Sequence, residues 1–183
     1  MMYVINVMEI WVERCLADVI KDIDMCKCEK CLKDVYALSL NKLPPKYIIS
    51  DKGIEECKID CDFNEEKEEI IRCLRSSAEI VKKNPKHDGD ETDRIVNYAE
   101  YFVEIYMREI MKENNLDESD DYVRKVYVMV LNNIKPFYIV TKKGEMLTKL
   151  KSQEGQYKTN IFLEVTRAID IMNVQKNKKN TWG

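Results

Sequence analysis

The sequence predicts an all-α protein of two tandem three-helix modules, packed against each other as a pseudo-dimer within one chain. Three observations predict this class. The 183-residue chain repeats itself at an offset of 91 positions. Its apolar residues recur every three or four positions, the spacing of one buried helix face. Hydrophobic residues make up 45% of the chain, with only 5 glycines and 4 prolines, which excludes a disordered or collagen-like chain.

The internal repeat aligns residues 4–53 with residues 95–144 without a gap, and 14 of these 50 positions are identical. Unrelated amphipathic helices would give scattered matches, whereas this single register ends in matching Pro-x-Tyr-Ile and Lys-Gly strings. We therefore interpret the chain as a duplication. The identical positions include Asn6/Asn97, Glu9/Glu100, Glu13/Glu104, Tyr36/Tyr127, Asn41/Asn132, Pro45/Pro136 and Tyr47/Tyr138.

In the first module, the apolar spacing predicts a helix over residues 4–23 and a second over 32–43, which two consecutive prolines end. Residues 47–49 follow these prolines and include two isoleucines, so we predict an extended segment there. A third helix is predicted over residues 65–83.

The second module repeats this order, with helices predicted at 95–112, 121–134 and about 157–174. A polar segment rich in helix breakers separates the two copies and is typical of a linker. The predicted organisation is a first module at 1–84, a linker at 85–94, a second module at 95–174 and a basic tail at 175–183.

Composition excludes several functional classes. A formal net charge of −3 argues against general nucleic-acid binding. With one histidine and neither a Gly-x-Ser-x-Gly nor a Gly-x-Gly-x-x-Gly motif, we predict that the protein is not an enzyme. No run of 18 apolar residues occurs, and acidic residues stand where a secretion signal would be basic, so we expect a cytoplasmic protein without a membrane partner.

Three cysteines, Cys26, Cys28 and Cys31, lie at the predicted start of the second helix. Three soft ligands so close together suit tetrahedral Zn²⁺, although three reduced thiols without metal would give the same pattern. The second module has no cysteine at the equivalent positions, so we expect any metal to be structural. Candidate fourth ligands are His87, Cys57, Cys61 and Cys73.

The motif Cys26-x-Cys28-x-x-Cys31, with the string Ala37-Leu38-Ser39-Leu40-Asn41-x-Leu43-Pro44-Pro45-x-Tyr47, closely resembles the late competence development protein ComFB family. The resemblance covers about residues 3–85, and a diverged second copy extends it to about 174. It implies small helical modules that dimerise, some with cysteine-bound zinc. The zinc-bearing type has a fourth cysteine after the third helix; residues 85–89 have none here, which makes His87 the first candidate.

The resemblance also implies a receptor for a cyclic dinucleotide, c-di-GMP or c-di-AMP, that relays its signal to an unknown partner protein. Such a ligand is a two-fold symmetric dianion, whose phosphates suit lysine or arginine and whose bases suit amides and stacking rings. The predicted ligand contacts are Lys33, Asn41, Lys42, Tyr47 and Lys52, with Arg124, Asn132, Tyr138 and Lys143 in the second module.

Each predicted contact also has a structural interpretation, because asparagine can cap a helix end and tyrosine can belong to the core. The main alternative function is a zinc-stabilised protein interaction module, linked to competence or motility, that has no nucleotide ligand. A DNA-uptake accessory protein that touches DNA is a third option, which the negative charge disfavours.

Overall fold

A computed structural model describes residues 3–50, 62–85, 94–114, 119–141 and 146–180. The predicted all-α class is confirmed, with one two-stranded antiparallel sheet added to each module. The first module contains β1 (Tyr3–Asn6), α1 (Val7–Val19), α2 (Glu29–Leu40), β2 (Tyr47–Ser50) and α3 (Phe63–Lys83). The second contains β3 (Arg94–Asn97), α4 (Tyr98–Glu113), α5 (Asp120–Leu131), β4 (Tyr138–Thr141) and α6 (Met146–Asn180).

The first helix of each module begins three residues later than predicted, because residues 4–6 and 95–97 belong to strands. Asn6 and Asn97 are the N-caps: their side-chain oxygens accept hydrogen bonds from the backbone N–H groups of Met8 (3.2 Å) and Ala99 (3.1 Å). This contact satisfies a donor that the first helical turn leaves unpaired.

The extended segment predicted at 47–49 is confirmed as part of β2. β1 and β2 pair so that Asn6 lies opposite Tyr47, and β3 and β4 pair so that Asn97 lies opposite Tyr138. The capping asparagine of each module thus stands beside that module's own strand tyrosine.

Helix α6 extends beyond the predicted 157–174 in both directions. The predicted linker lies largely outside the described residues, and Arg94, its last position, is the first residue of β3. The proposed module boundaries and the tail remain predictions.

In each module the three α-helices named above pack around an apolar core, with Trp11 and Leu74 fully buried in the first and Val103 and Ile161 in the second. The strands complete these cores across the junction. Tyr138 belongs to the core of the first module and Tyr47 to that of the second. β4 packs on α2 and β2 packs on α5, so each module supplies part of the other's interior.

Within the described residues, no helix combines the length and the apolar character needed to span a bilayer.

Candidate functional site

Two asparagines hold the backbone of the opposite module's tyrosine. Asn41, the C-cap of α2, accepts a hydrogen bond from the Tyr138 N–H (2.7 Å) and donates one to the Tyr138 carbonyl (2.8 Å). Asn132, the C-cap of α5, makes the same pair with Tyr47 at 2.6 and 3.0 Å. Equivalent residues therefore make equivalent contacts, the pattern of a pseudo-twofold axis between the modules.

The other end of each tyrosine is also held by the opposite module. The Tyr138 hydroxyl donates to Glu9 Oε1 (2.6 Å) and accepts from Asn6 Nδ2 (2.8 Å). The Tyr47 hydroxyl makes the same contacts, donating to a Glu100 oxygen (2.6 Å) and accepting from Asn97 Nδ2 (2.8 Å). The neighbouring module therefore forms hydrogen bonds with both the backbone and the hydroxyl of each tyrosine.

The electrostatics of this junction favour protonated groups. Burial raises the pKa of both Tyr47 and Tyr138, and the carboxylates beside their hydroxyls act in the same direction. Burial also raises the pKa of the Glu9 carboxyl; the hydrogen bond from Tyr138 lowers it, and the nearby Glu100 and Glu13 carboxylates raise it further.

Two clefts open at the junction, one on each side of the paired tyrosines. On the hydroxyl side, a cleft of about 510 Å³, here named the acidic cleft, is lined by Glu9, Tyr36, Ile95, Val96, Asn97, Glu100, Tyr101, Glu104, Tyr127 and Tyr138. On the backbone side, a cleft of about 410 Å³, here named the lysine cleft, is lined by residues 41–45 and 132–136. Both are within the size range of small-molecule sites.

The structure brings three of the predicted ligand contacts, Asn41, Lys42 and Asn132, into the lysine cleft. Tyr47 and Tyr138 are buried, with their hydroxyls engaged as described. The other predicted contacts are placed elsewhere or not described. Lys33 pairs with Glu29 (2.6 Å) beside a separate groove, Arg124 lines neither cleft, and Lys52, Lys143 and the predicted metal ligand His87 lie outside the described residues.

Sequence reasoning about ligands missed four junction residues. These are Asn6, Glu9, Asn97 and Glu100. The signal was available, because all four are identical between the two copies of the repeat.

The three cysteines predicted as metal ligands come together. Their sulfur atoms all lie within 4.8 Å of one another, with Cys31 buried in α2, Cys28 at its N-cap and Cys26 in the preceding loop. Burial and the two neighbouring thiols raise the pKa of Cys31 to about 12. A divalent cation would reverse this effect, since coordination favours the thiolate. These residues could hold a metal.

Cys73, one of the predicted fourth ligands, is not part of this group. Its thiol contacts a Glu69 carboxylate oxygen at 3.5 Å. No disulfide joins the cysteines in the described part of the chain. Cys57 and Cys61 lie outside the described residues, so the fourth ligand stays a prediction.

Comparison with known proteins gives a family match for each of the two modules. The family model for the late competence development protein ComFB matches residues 5–85 and again residues 96–177. The chain belongs to the ComFB family. The two matched segments agree with the tandem duplication inferred from the repeat, and the second ComFB segment lacks the cysteine cluster of the first.

The competence protein ComFB of Bacillus subtilis (strain 168) is 35% identical over 60 residues, which is 33% of this chain and 61% of that relative's length. A solved structure of the late competence protein ComFB from Bacillus subtilis aligns with 49% of this chain and 100% of its own, at 28% identity and a TM-score of 0.41.

Proposed function

We propose that this ComFB-family protein is a non-enzymatic receptor, whose two modules together bind a cyclic dinucleotide in the lysine cleft and relay the signal to a partner protein. One observation carries the proposal: equivalent segments of both modules line a single cleft on their pseudo-twofold axis. A two-fold symmetric ligand matches such a cleft because each half of the ligand can contact one module.

The chemistry of the lysine cleft supports an anionic ligand. Lys42 and Lys135 both line it, and none of the described residues that line it is an aspartate or a glutamate. The acidic cleft on the other side of the tyrosines, with three glutamates, would repel phosphates. Pro44, Pro45 and Pro136 offer apolar surface to the bases, and Asn133 offers an amide edge.

The cleft is not fully symmetric. Lys42 corresponds to Asn133 in the repeat, and Lys135 corresponds to Pro44. Lys42 Nζ also lies 3.1 Å from the hydroxyl oxygens of Ser76 and Ser77, which fixes its ammonium group at one side. The two phosphates would therefore meet different partners, so we expect one ligand per chain in a single orientation.

Calorimetric titration of the full chain with c-di-GMP and c-di-AMP, with GTP and ATP as controls, tests this proposal. We expect saturable binding of one cyclic dinucleotide per chain, and a gain in unfolding free energy of about 2.7 kcal/mol at a free ligand concentration near 100 Kd. Absence of binding to both cyclic dinucleotides contradicts the proposal.

Charge-removing pairs then locate the site. The double variant Lys42→Ala/Lys135→Ala should weaken binding by at least tenfold, about 1.4 kcal/mol, without loss of the fold. Lys33→Ala/Arg124→Ala removes the same charge outside the lysine cleft and is the matched control. Lys52→Ala/Lys143→Ala tests the two predicted contacts that the structure does not describe. If only this last pair affects affinity, the ligand site lies beyond the lysine cleft.

A structural zinc ion at Cys26, Cys28 and Cys31 is a second proposal, and the convergence of three sulfur atoms within 4.8 Å favours it. The ion would hold the loop between α1 and α2 against the start of α2. In the alternative in which no nucleotide binds, a zinc-stabilised interaction module is the function that remains. Zinc supplies no reaction chemistry in either case.

Metal analysis of the purified chain tests the zinc proposal. We expect one zinc per chain, a melting temperature lowered by several degrees after chelation, and loss of both the metal and the chelator response in Cys28→Ser. Cys15→Ser changes a buried thiol outside the cluster and should retain the zinc. A Cys28→Ser variant with unchanged metal content contradicts the assignment.

A further inference from the structure

We propose that the acidic cleft is a second binding site, distinct from the lysine cleft, and that its ligand is a small linear diamine. This inference does not rest on cyclic dinucleotide binding. It rests on three features of the cleft: its aromatic walls, the placement of its two inner carboxylates, and the identity of these residues in both copies of the repeat.

The walls of the acidic cleft are tyrosine rings. Tyr36 and Tyr127 line it at equivalent positions of the two modules, and so do Tyr138, which is buried, and Tyr101, which has 47% of its surface exposed. Aromatic rings present a negative face, and cavities walled by several rings recognise alkylammonium groups. The aromatic walls indicate an organic cation, since a bare metal ion gains nothing from contact with apolar surface.

The two inner carboxylates, Glu9 and Glu100, are related by the pseudo-twofold axis and are half-buried. One oxygen of each accepts a hydrogen bond from a buried tyrosine hydroxyl at 2.6 Å, which fixes its position. Among the residues that the structure describes, no lysine or arginine lines the cleft. Of the three glutamates there, Glu104 pairs with Arg108 (3.1 Å) outside it. Two fixed carboxylates across an axis suit a ligand with a cation at each end.

The repeat gives the sequence evidence. Glu9/Glu100, Glu13/Glu104 and Tyr36/Tyr127 are identical pairs in a repeat that is identical at only 14 of 50 positions. The hydrogen bonds to the strand tyrosines explain why Glu9 and Glu100 are identical. Glu104 lines the acidic cleft, whereas Glu13 lines a separate groove next to it. A site that draws on both copies accounts for Glu9/Glu100 and Tyr36/Tyr127, since all four residues line the cleft.

Calorimetric titration of the full chain with 1,4-diaminobutane tests the proposal, with 1-aminobutane and Mg²⁺ as comparison cations. We expect saturable binding of one diamine per chain, and binding of the monoamine weaker by about tenfold because one charge-assisted contact is missing. Binding of Mg²⁺ with equal or greater affinity, equal binding of monoamine and diamine, or no binding of the diamine overturns the proposal.

Variants separate this site from general attraction to an acidic protein. Glu9→Gln/Glu100→Gln keeps acceptors for the tyrosine hydroxyls and should abolish diamine binding. Glu65→Gln/Glu68→Gln removes the same charge from the exposed surface of α3 and should leave the affinity unchanged. Tyr101→Ala, at the exposed rim, should weaken binding by about threefold to tenfold through loss of one ring while the melting temperature is retained. Equal effects of the two glutamine pairs contradict a site in the cleft.

These outcomes do not depend on the lysine cleft, because Lys42→Ala/Lys135→Ala leaves the acidic cleft intact. Diamine binding that persists in that variant, alongside lost or absent dinucleotide binding, would support the acidic cleft on its own. Loss of diamine binding in the lysine pair would contradict the separation of the two sites.

Discussion

A single asparagine side chain can act as a short piece of strand. The amide of Asn41 presents one acceptor and one donor to the N–H and carbonyl of Tyr138, which is what a neighbouring strand would offer. Asn132 does the same for Tyr47. Each tyrosine is the first residue of its strand. Without these amides, its part-buried N–H and carbonyl groups would lose these hydrogen-bond partners.

Replacing this amide should cost more than an ordinary surface change. We expect Asn41→Ala, and equally Asn132→Ala, to lower the free energy of unfolding by about 1–3 kcal/mol, the cost of leaving buried polar groups unpaired. Urea denaturation measures it. Asn133→Ala is the matched control, because Asn133 is exposed like Asn132 but its amide donates to the nearby Met129 carbonyl of the same module; it should change stability by less than about 0.5 kcal/mol. Equal effects at positions 132 and 133 contradict this role.

At the scale of elements, the sequence predicted helices well where the signal is local. α2, α3, α4 and α5 follow the apolar spacing and the proline positions to within a few residues. β1 and β3 were missed because residues 4–6 and 95–97 fit a helical pattern by themselves. They form strands because β2 and β4, about 40 residues further along the chain, provide partners, and a periodicity argument does not contain that distant contact.

The candidate site was also predictable only in part, because some of its contacts are distant in the sequence. The cysteine cluster is local, with three ligands in six residues, and its convergence was predicted. The sequence allows the two tyrosines either to belong to the core or to contact a ligand. In the structure both tyrosines belong to a core, but each belongs to the core of the other module. The sequence of one module does not predict which core, because Tyr47 and Tyr138 lie in the same local motif.

For the whole molecule, the junction matters more than either module. Both clefts are built from residues of both modules, so a ligand in either one binds only the packed arrangement. By linkage it would stabilise that arrangement against any state in which the modules separate. In the function proposed above, a ligand bound at the junction would thus change the contacts that the two modules offer to a partner, without a chemical reaction.

Each module contributes a tyrosine to the core of the other, which predicts that a substitution in one module destabilises the other. Tyr138→Ala removes a ring that belongs to the second module by sequence and to the first by packing. Loss of a buried aromatic ring costs about 3–5 kcal/mol, so the first module should open more often. All seven cysteines lie within residues 1–85, and Cys15 is buried in the first core, so thiol labelling reports on that module alone.

We expect Tyr138→Ala to speed the labelling of Cys15 under native conditions by about a hundredfold or more, since each 1.4 kcal/mol of lost stability is a tenfold change in the open population. Mass spectrometry measures the labelling rate. The control is Phe162→Ala, an exposed ring on α6 of the same module, which should leave the labelling rate unchanged. If Tyr138→Ala weakens the second module while Cys15 stays protected, the modules fold independently and the junction is only a contact between finished domains. If Cys15 becomes reactive, the tandem is one cooperative unit whose core runs through both copies.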